Sequence, residues 1–287
     1  CSGASNSLTL SRPLSVQLHP TQHVAAAGWD AQHRSGLPAV YSDPFEKTEM
    51  LVALDDFEAF AGWRSLEESA AILAGIAGTE DAIDCLRAGD RPGAIRRLLE
   101  AGSADAVASL PAAAGAAGLA PEQVAAYATV AQAYPGDAGA LLTPMLAYLS
   151  LQPGQAVYVP AGLPHSYIRG TGLEVMTSSD NVIRLGLTSK PVFVDHAIGA
   201  LVDGIEPQFM DTRHGDLIWP VNSPFVVRMI ASGEERIPFG AYRIVLLIEG
   251  SARVTSAFGD IALPPGTAAL ISPDAPASYA HADRPLA

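Results

Sequence analysis

The sequence predicts a mainly β fold with an α-helical insertion, in which two similar β-barrels or jelly rolls are interrupted by a block of helices. Three observations support this prediction. Alternating apolar and polar residues indicate strands in residues 1–60 and again from Leu151 to the end. Residues 65–149 are rich in alanine and have helical periodicity. A strand-turn-strand pattern occurs twice, at residues 151–167 and 263–279.

The composition of the 287-residue chain excludes several classes of protein. Its hydrophobic content of 49% and charged content of 16% indicate a soluble, well-packed protein. A net charge of −13 argues against nucleic-acid partners and anionic membranes, but one or two local cations suffice to hold a small phosphorylated substrate. No apolar run is long enough to predict a membrane-spanning segment. The two cysteines, Cys1 and Cys85, make neither a disulfide framework nor a zinc site, so a reducing, cytoplasmic location is expected.

The first residues, CSGAS, allow two interpretations. The chain has no initiator methionine, which suggests that it is cut or incompletely represented. The alternative is a processed lipoprotein, because such a protein would begin with a cysteine followed by small residues.

The first β region places polar side chains on strands. In RPLSVQLHP, period-two alternation puts Gln17 and His19 on one face of a strand, roughly 7 Å apart. A loop is expected from Thr21 to Pro44, because glycine, proline and aspartate are frequent there. Lys47 and Glu49 then share a face at the start of an apolar strand.

The helical block has recognisable start and stop signals. Ser65 and Glu68 form a capping box at the start of one helix. Pro92 suits the start of a second helix that Gly102 closes, and a third helix starts near Pro121 and stops by residues 134–136. The charged residues of this block are expected on a solvated face without chemistry.

The internal repeat singles out His165. Residues 151–167 align without gaps on residues 263–279, and Pro-Gly and Ser-Tyr recur at equivalent positions. His165 of the first copy is replaced by Ala277 in the second, while the residues around it persist. The turn therefore does not require a histidine, and a functional role is predicted for His165.

Four residues could form a metal site. Gln17, His19, Glu49 and His165 offer two nitrogen and two oxygen donors, a set that suits zinc with one position open to water or substrate. Spacing alone leaves open that Gln17 and His19 are polar surface. It also leaves open that Arg184 pairs with Asp180 to hold the fold and that Lys47 is an exposed strand charge.

Three segments together resemble the type I phosphomannose isomerases, the zinc-dependent mannose-6-phosphate isomerases of the cupin superfamily. They are residues 13–20, 47–64 and 159–190, and the last is close to the family signature. The resemblance covers the chain from Leu8 to its end and implies a double-cupin fold. It implies a catalytic cupin barrel in residues 1–64 and 150–205, a helical insertion domain in residues 65–149, and a C-terminal cupin domain without a metal site in residues 206–287.

The resemblance implies an isomerase that interconverts mannose 6-phosphate and fructose 6-phosphate through an enediol. The expected protein is a monomer that holds one Zn²⁺ per chain and binds a small sugar phosphate. The implied zinc ligands are Gln17, His19, Glu49 and His165. The implied catalytic residues are Arg184, Glu174, Lys47 and Asp180, and the implied substrate-binding residues are Lys47, Arg184 and Ser15.

The chemistry explains these residue types. Isomerisation moves a proton between C1 and C2, for which Glu174 is the first candidate and Asp180 and His19 are alternatives. Arg184 and Lys47 would bind the enediolate or the phosphate, because a guanidinium can recognise such groups through two parallel hydrogen bonds.

The chain also departs from the family. It lacks the family's N-terminal β segment, Asn6 stands where many members have an active-site lysine, and Glu46 replaces the histidine before Lys47. These departures predict a missing beginning or a shortened relative. They also support an alternative function, a catalytically impaired cupin that binds metal or sugar phosphate without turnover. A purely structural barrel ranks last, because it gives no reason for the difference between His165 and Ala277.

Overall fold

The structure, a computed structural model, describes residues 3–36, 39–237, 240–275 and 278–283, without the side chains of residues 3–7 and 283. Cys1, Ala277 and the side chain of Asn6, which the sequence interpretation singled out, lie outside the described part. The strands are β1 (Gly3–Leu10), β2 (Val16–Leu18), β3 (Glu49–Ala53), β4 (Phe57–Trp63), β5 (Leu146–Leu151), β6 (Gln155–Val159), β7 (His165–Thr177), β8 (Ile183–Gly186), β9 (Gln208–Asp211), β10 (Gly233–Ile237), β11 (Arg243–Leu246), β12 (Ser251–Ser256), β13 (Gly259–Leu263), β14 (Ala268–Ile271) and β15 (Ser278–Asp283).

The helices are α1 (Gln22–Ser35), α2 (Leu66–Leu73), α3 (Glu80–Arg87), α4 (Arg91–Ala101), α5 (Ala104–Ala116), α6 (Pro121–Ala133) and α7 (Val194–Ala200), and a 3₁₀ helix spans Ala138–Met145. Among the described residues, no helix combines the length and apolar character that crossing a membrane requires. The chain forms two compact units, one of Gly3–Asp211 with Pro220–Phe225 and the other of Thr212–Trp219 with Val226–Ala287.

Strand β7 organises the sheet of the first unit. Its first half pairs with β2 and β4, and its second half pairs with β1 and β3. The strand changes partners at Gly170, where φ is 118° and an added Cβ would lie 2.7 Å from the carbonyl oxygen of Asp56. Only glycine fits this bend, since a side chain would meet backbone there. β7 therefore joins both parts of the sheet around one interior.

An apolar core lies in the interior of this sheet. It contains buried side chains from several strands, among them Leu51, Ala53, Phe57, Val157 and Tyr167. Glu49 begins the strand that carries Leu51 and Ala53, so period-two alternation points its carboxylate into the same interior. A buried carboxylate in such surroundings requires compensating partners.

The helices α2 to α6 lie between β4 and β5 in the chain and pack on the sheet. Phe60 of β4 contacts Tyr127 of α6, with ring centroids 5.2 Å apart. The predicted start signals are confirmed: the hydroxyl of Ser65 accepts a hydrogen bond from Glu68 N, α4 begins at Arg91 next to Pro92, and α6 begins at Pro121. β5 returns beside β4, with Leu146 opposite Trp63.

The predicted loop from Thr21 to Pro44 is wrong over Gln22–Ser35, which forms α1. The helix start has no side-chain cap and no acidic residue in its first turn, so the usual sequence signals are missing. Three consecutive alanines favour the helix, and Gly36 ends it with φ of 62°. The buried amide of Gln32 then holds the backbone of Val40 and Tyr41.

The second unit has its own strands and core. β10, β15, β12 and β13 form one sheet in that order, and β11 pairs with β14. The repeat identified in the sequence corresponds to equivalent structure in the two units. Gly154 and Gly266 have φ of 82° and 76°, each between a preceding strand, β5 or β13, and a following strand, β6 or β14.

A candidate metal centre

Three strands bring the predicted ligands together. Gln17 lies in β2, where its backbone pairs with His165 of β7 and with Arg184 of β8. His19 follows directly after β2, and its carbonyl oxygen accepts a hydrogen bond of 2.7 Å from Gly162 N. Glu49 and His165 are the first residues of β3 and β7. Residues distant in sequence therefore meet at one end of the sheet.

The carboxylate of Glu49 lies between two imidazoles. Its Oε2 is 3.0 Å from His19 Nε2, and its Oε1 is 3.1 Å from His165 Nε2. All three side chains are completely buried, and the possible ligand atoms lie within 4.8 Å of one another. This arrangement has the size of a coordination sphere.

The hydrogen bonds of the imidazoles indicate their tautomers. His19 Nδ1 donates to the carbonyl oxygen of Asn181 over 2.7 Å, and His165 Nδ1 donates to that of Leu163 over 3.1 Å. A neutral imidazole has a single N–H group, so each Nε2 presents a lone pair toward Glu49. Burial lowers the pKa of His19 to about 4, although Glu49 opposes this shift, and the ring is neutral.

Acceptors therefore face acceptors at the centre of the cluster. The hydroxyl of Tyr167 and the ammonium group of Lys47 both contact the carboxylate of Glu49, and both favour its ionised form. Two lone pairs and a carboxylate around one point are the donors of a cation site. Two imidazoles and one carboxylate fit zinc in particular.

Gln17 lies beside the cluster. Its Nε2 is 3.3 Å from His165 Nε2, and its Oε1 accepts a hydrogen bond of 2.7 Å from the hydroxyl of Ser15. The two ends of an amide are interchangeable by rotation, so either the nitrogen or the oxygen can face the centre. Of the predicted residues, Gln17 is thus adjacent to His165, and Ser15 contacts Gln17.

Two further groups hold the carboxylate of Glu49. The hydroxyl of Tyr167 donates to Oε1 over 2.8 Å, and Lys47 Nζ lies 3.3 Å from Oε2. Lys47 is 7% exposed, so the alternative of an exposed strand charge is wrong. Burial, followed by the charge of Glu49, raises the pKa of Tyr167 well above its ordinary value and keeps the phenol a donor.

Sequence reasoning does not assign a role to Tyr167 or Asn181. Tyr167 recurs as Tyr279 in the repeat, which favours a purely architectural interpretation. Asn181 contacts His19 through its backbone carbonyl, a contact that residue type does not signal. The apolar alternation that places His165 in the interior also places Tyr167 there, and this is the available signal.

The remaining predicted residues differ in position. Arg184 is half-buried, burial lowers its pKa, and its guanidinium has no hydrogen bond or ion pair with any described residue, Asp180 included. Glu174 lies in β7 opposite Leu51. Burial, followed by the charge of Glu49, raises the pKa of Glu174 to about 7. Lys47 and His165 lower this pKa but do not offset the rise. The structure brings Glu174 to the cluster but leaves the exposed side chain of Asp180 without a contact to it.

Comparison with known proteins gives consistent matches. The family model described as phosphomannose isomerase type I, catalytic domain, matches residues 6–66. Mannose-6-phosphate isomerase from Escherichia coli (strain K12) is 27% identical over 285 residues, which cover 92% of this chain and 72% of the relative. The protein of the same name from Salmonella typhimurium is 29% identical over 293 residues, with 93% and 73% covered.

Solved structures also match over nearly the whole chain. A lysine-to-alanine mutant of phosphomannose isomerase from Salmonella typhimurium superposes with a TM-score of 0.81 at 26% identity, covering 98% of this chain and 77% of the other. Mannose 6-phosphate isomerase from the same organism, bound to its substrate fructose 6-phosphate and a zinc atom, gives a TM-score of 0.80 at 25% identity with the same coverage.

Proposed function

We propose that the chain is a type I phosphomannose isomerase, which interconverts mannose 6-phosphate and fructose 6-phosphate through an enediol with one zinc ion per chain. Its fold is a mainly β double cupin with a helical insertion. The observation that carries the proposal is the buried cluster in which His19 and His165 direct lone pairs at the carboxylate of Glu49.

We assign His19, Glu49 and His165 as zinc ligands and Gln17 as the fourth protein ligand. When bound, zinc supplies a Lewis acid that polarises the carbonyl and hydroxyl oxygens of the sugar. Tyr167 and Lys47 support the assignment of Glu49, because each fixes one of its oxygens.

Glu174 is the proposed carrier of the proton between C1 and C2. Its carboxylate lies beside Glu49, on the strand that also carries His165. His19 is a weaker candidate, because Asn181 occupies its Nδ1 and the cluster occupies its Nε2. The catalytic role of Asp180 remains a prediction from the sequence.

Arg184, Lys47 and Ser15 are the proposed substrate-binding residues. Arg184 supports this role because its half-buried guanidinium has no partner among the described residues, and such a group gains most from an anionic substrate. Lys47 supplies a second positive charge, besides that of Arg184, and its ammonium group contacts Glu49. Enediolate and phosphate are both anions that these cations can stabilise.

We also propose the domain division that the sequence predicts. Helices α2 to α6 support an insertion in residues 65–149, and the separate core of the second unit supports a C-terminal cupin domain in residues 206–287. The monomeric state and the cytoplasmic location stay predictions.

The test is to express the chain, measure bound zinc, and follow formation of fructose 6-phosphate from mannose 6-phosphate. Stoichiometric zinc with turnover supports the proposal. Zinc without turnover would leave the catalytically impaired cupin, and a protein that takes up no zinc would refute the metal centre.

A further inference from the structure

We propose that Asn181 is a positioning residue of the metal centre, which holds His19 and the segment leading to Glu49 in one fixed arrangement. The inference rests on the proposed function, because it concerns the affinity for zinc. It adds a residue that contacts neither the expected ion nor the sugar.

Asn181 is completely buried, and its backbone and side chain face different parts of the site. Its carbonyl oxygen accepts the 2.7 Å hydrogen bond from His19 Nδ1. Its side-chain Oδ1 accepts a hydrogen bond of 2.8 Å from Ser42 N. Its Nδ2 donates to the carbonyl oxygens of Asp43 and Phe45 over 2.9 and 2.7 Å, and to Asp43 Oδ1 over 3.1 Å.

The segment held by this amide leads directly into the metal centre. Residues 42–46 form no strand or helix, and they are followed by Lys47, Thr48 and Glu49. Without a regular ladder, the backbone groups of this half-exposed segment can be fixed by side-chain partners. The amide of Asn181 forms three such hydrogen bonds with backbone groups. It therefore positions the segment that precedes β3 and Glu49.

The turn around Asn181 is held in return. Asp43 Oδ1 accepts a hydrogen bond of 2.9 Å from the hydroxyl of Ser179, and Asp43 Oδ2 accepts one of 2.9 Å from Asp180 N. The two turns are therefore bonded reciprocally. Movement of either turn would displace the carbonyl oxygen that orients His19.

The bond to His19 has a direct consequence for metal binding. The carbonyl oxygen of Asn181 keeps the proton on Nδ1 and leaves Nε2 free as a ligand. Hydrogen-bond partners of this kind orient metal-binding imidazoles, and their loss weakens metal affinity by about 10–100-fold. Asn181 also connects His19 with the segment that precedes Glu49, so it positions two of the three clustered residues.

The experiment compares Asn181→Ala with Gln32→Ala in the full chain. Gln32 is a matched control, because it is also a buried amide that bonds backbone groups, those of Val40 and Tyr41, and it does not touch the cluster. Both variants should lower Tm. Only Asn181→Ala should raise the Kd for zinc, by about 10–100-fold in competition with a chelator.

A second variant, Asn181→Asp, keeps the shape and the acceptor for Ser42 N but removes the amide donors. Its added negative charge would by itself attract a cation, so weaker zinc binding would show that position matters more than charge. An unchanged Kd in every Asn181 variant, with only a lower Tm, would overturn the inference.

The comparison separates this inference from the proposed function. Wild-type protein that takes up no zinc would overturn both. Zinc uptake without isomerase turnover would overturn only the proposed activity, and the ratio of the Kd values would still decide the role of Asn181.

Discussion

The hydroxyl of Tyr167 donates a hydrogen bond to Glu49 Oε1, the same carboxylate oxygen that faces His165. Lys47 contacts the other oxygen, so the carboxylate is held at both ends. The phenol is buried and remains protonated. Tyr167 therefore limits rotation of Glu49 without adding charge to the cluster.

Substitution Tyr167→Phe should weaken zinc binding by about 10-fold, because the ring stays but the donor to Glu49 is lost. The free energy of unfolding should fall by about 1–3 kcal/mol, as expected for a buried hydrogen bond to a charged group. Chelator competition and urea denaturation measure the two effects. Tyr127→Phe is the control, since that buried tyrosine does not contact Glu49; equal loss of zinc affinity in both variants would contradict the prediction.

Glu49→Ala should abolish zinc binding and also destabilise the metal-free protein. Lys47 would then be a buried cation without its partner, a loss that costs about 3–5 kcal/mol of unfolding free energy. Asp84→Ala breaks an exposed pair with Arg87 and should cost at most about 1 kcal/mol. Urea denaturation of the zinc-free protein measures the unfolding free energy of both variants. Similar losses in the two variants would refute a stabilising buried ion pair between Lys47 and Glu49.

Removal of zinc by a chelator should abolish turnover, and added zinc should restore it. The reason is that His19, Glu49 and His165 remain in place to bind the ion again. His165→Ala combined with Glu49→Ala should show no zinc-dependent recovery. Recovery in that double variant would place the metal elsewhere.

Arg184→Lys should raise KM for the sugar phosphate by about 10-fold while the zinc content stays the same, because lysine keeps the charge but lacks the planar fork. Since the guanidinium has no partner among the described residues, the substitution should not lower Tm. Steady-state kinetics and thermal denaturation test both parts. A large drop in Tm with unchanged KM would indicate a structural role instead.

Glu174→Gln should lower kcat by about 100-fold or more, because the amide cannot carry the proton, and zinc binding should persist. Asp180→Asn should change kcat much less, since the side chain of Asp180 is exposed and does not contact the cluster. The same assay measures both variants. The reverse order of effects would identify Asp180 as the proton carrier.

Gly170→Ala should lower the free energy of unfolding by about 3 kcal/mol or more, because backbone strain is combined with a collision against Asp56. Gly36→Ala is the control. Gly36 also has positive φ, but an added Cβ there meets nothing within 4 Å, so about 1 kcal/mol is expected. Urea denaturation measures both variants. Equal losses of unfolding free energy would show that a side chain at residue 170 does not collide with Asp56.

Much of the fold and of the candidate site could be predicted because it depends on local patterns. Alternation places Gln17 with His19 and Lys47 with Glu49 on shared strand faces, and the repeat distinguishes His165 from its framework. Alternation does not decide whether the face of Gln17 and His19 points inward. Helix α1 was not predictable from its start, because it has neither a side-chain cap nor an acidic residue in its first turn. Tyr167 and Asn181 act through contacts between distant strands and turns, and neither spacing nor composition reveals such contacts.

The pairing of Trp63 with Leu146 has a consequence for the order of folding. The whole helical block separates these residues in the chain, so an unfolded chain would have to close a very long loop to pair them. Helices form from local contacts and are fast, whereas non-local strand pairing is slow. We expect the helices to shorten this search by folding first. In the sequence, Glu49 precedes the helical block and His165 follows it. If the helices fold first, the metal centre is among the last parts of the sheet to assemble.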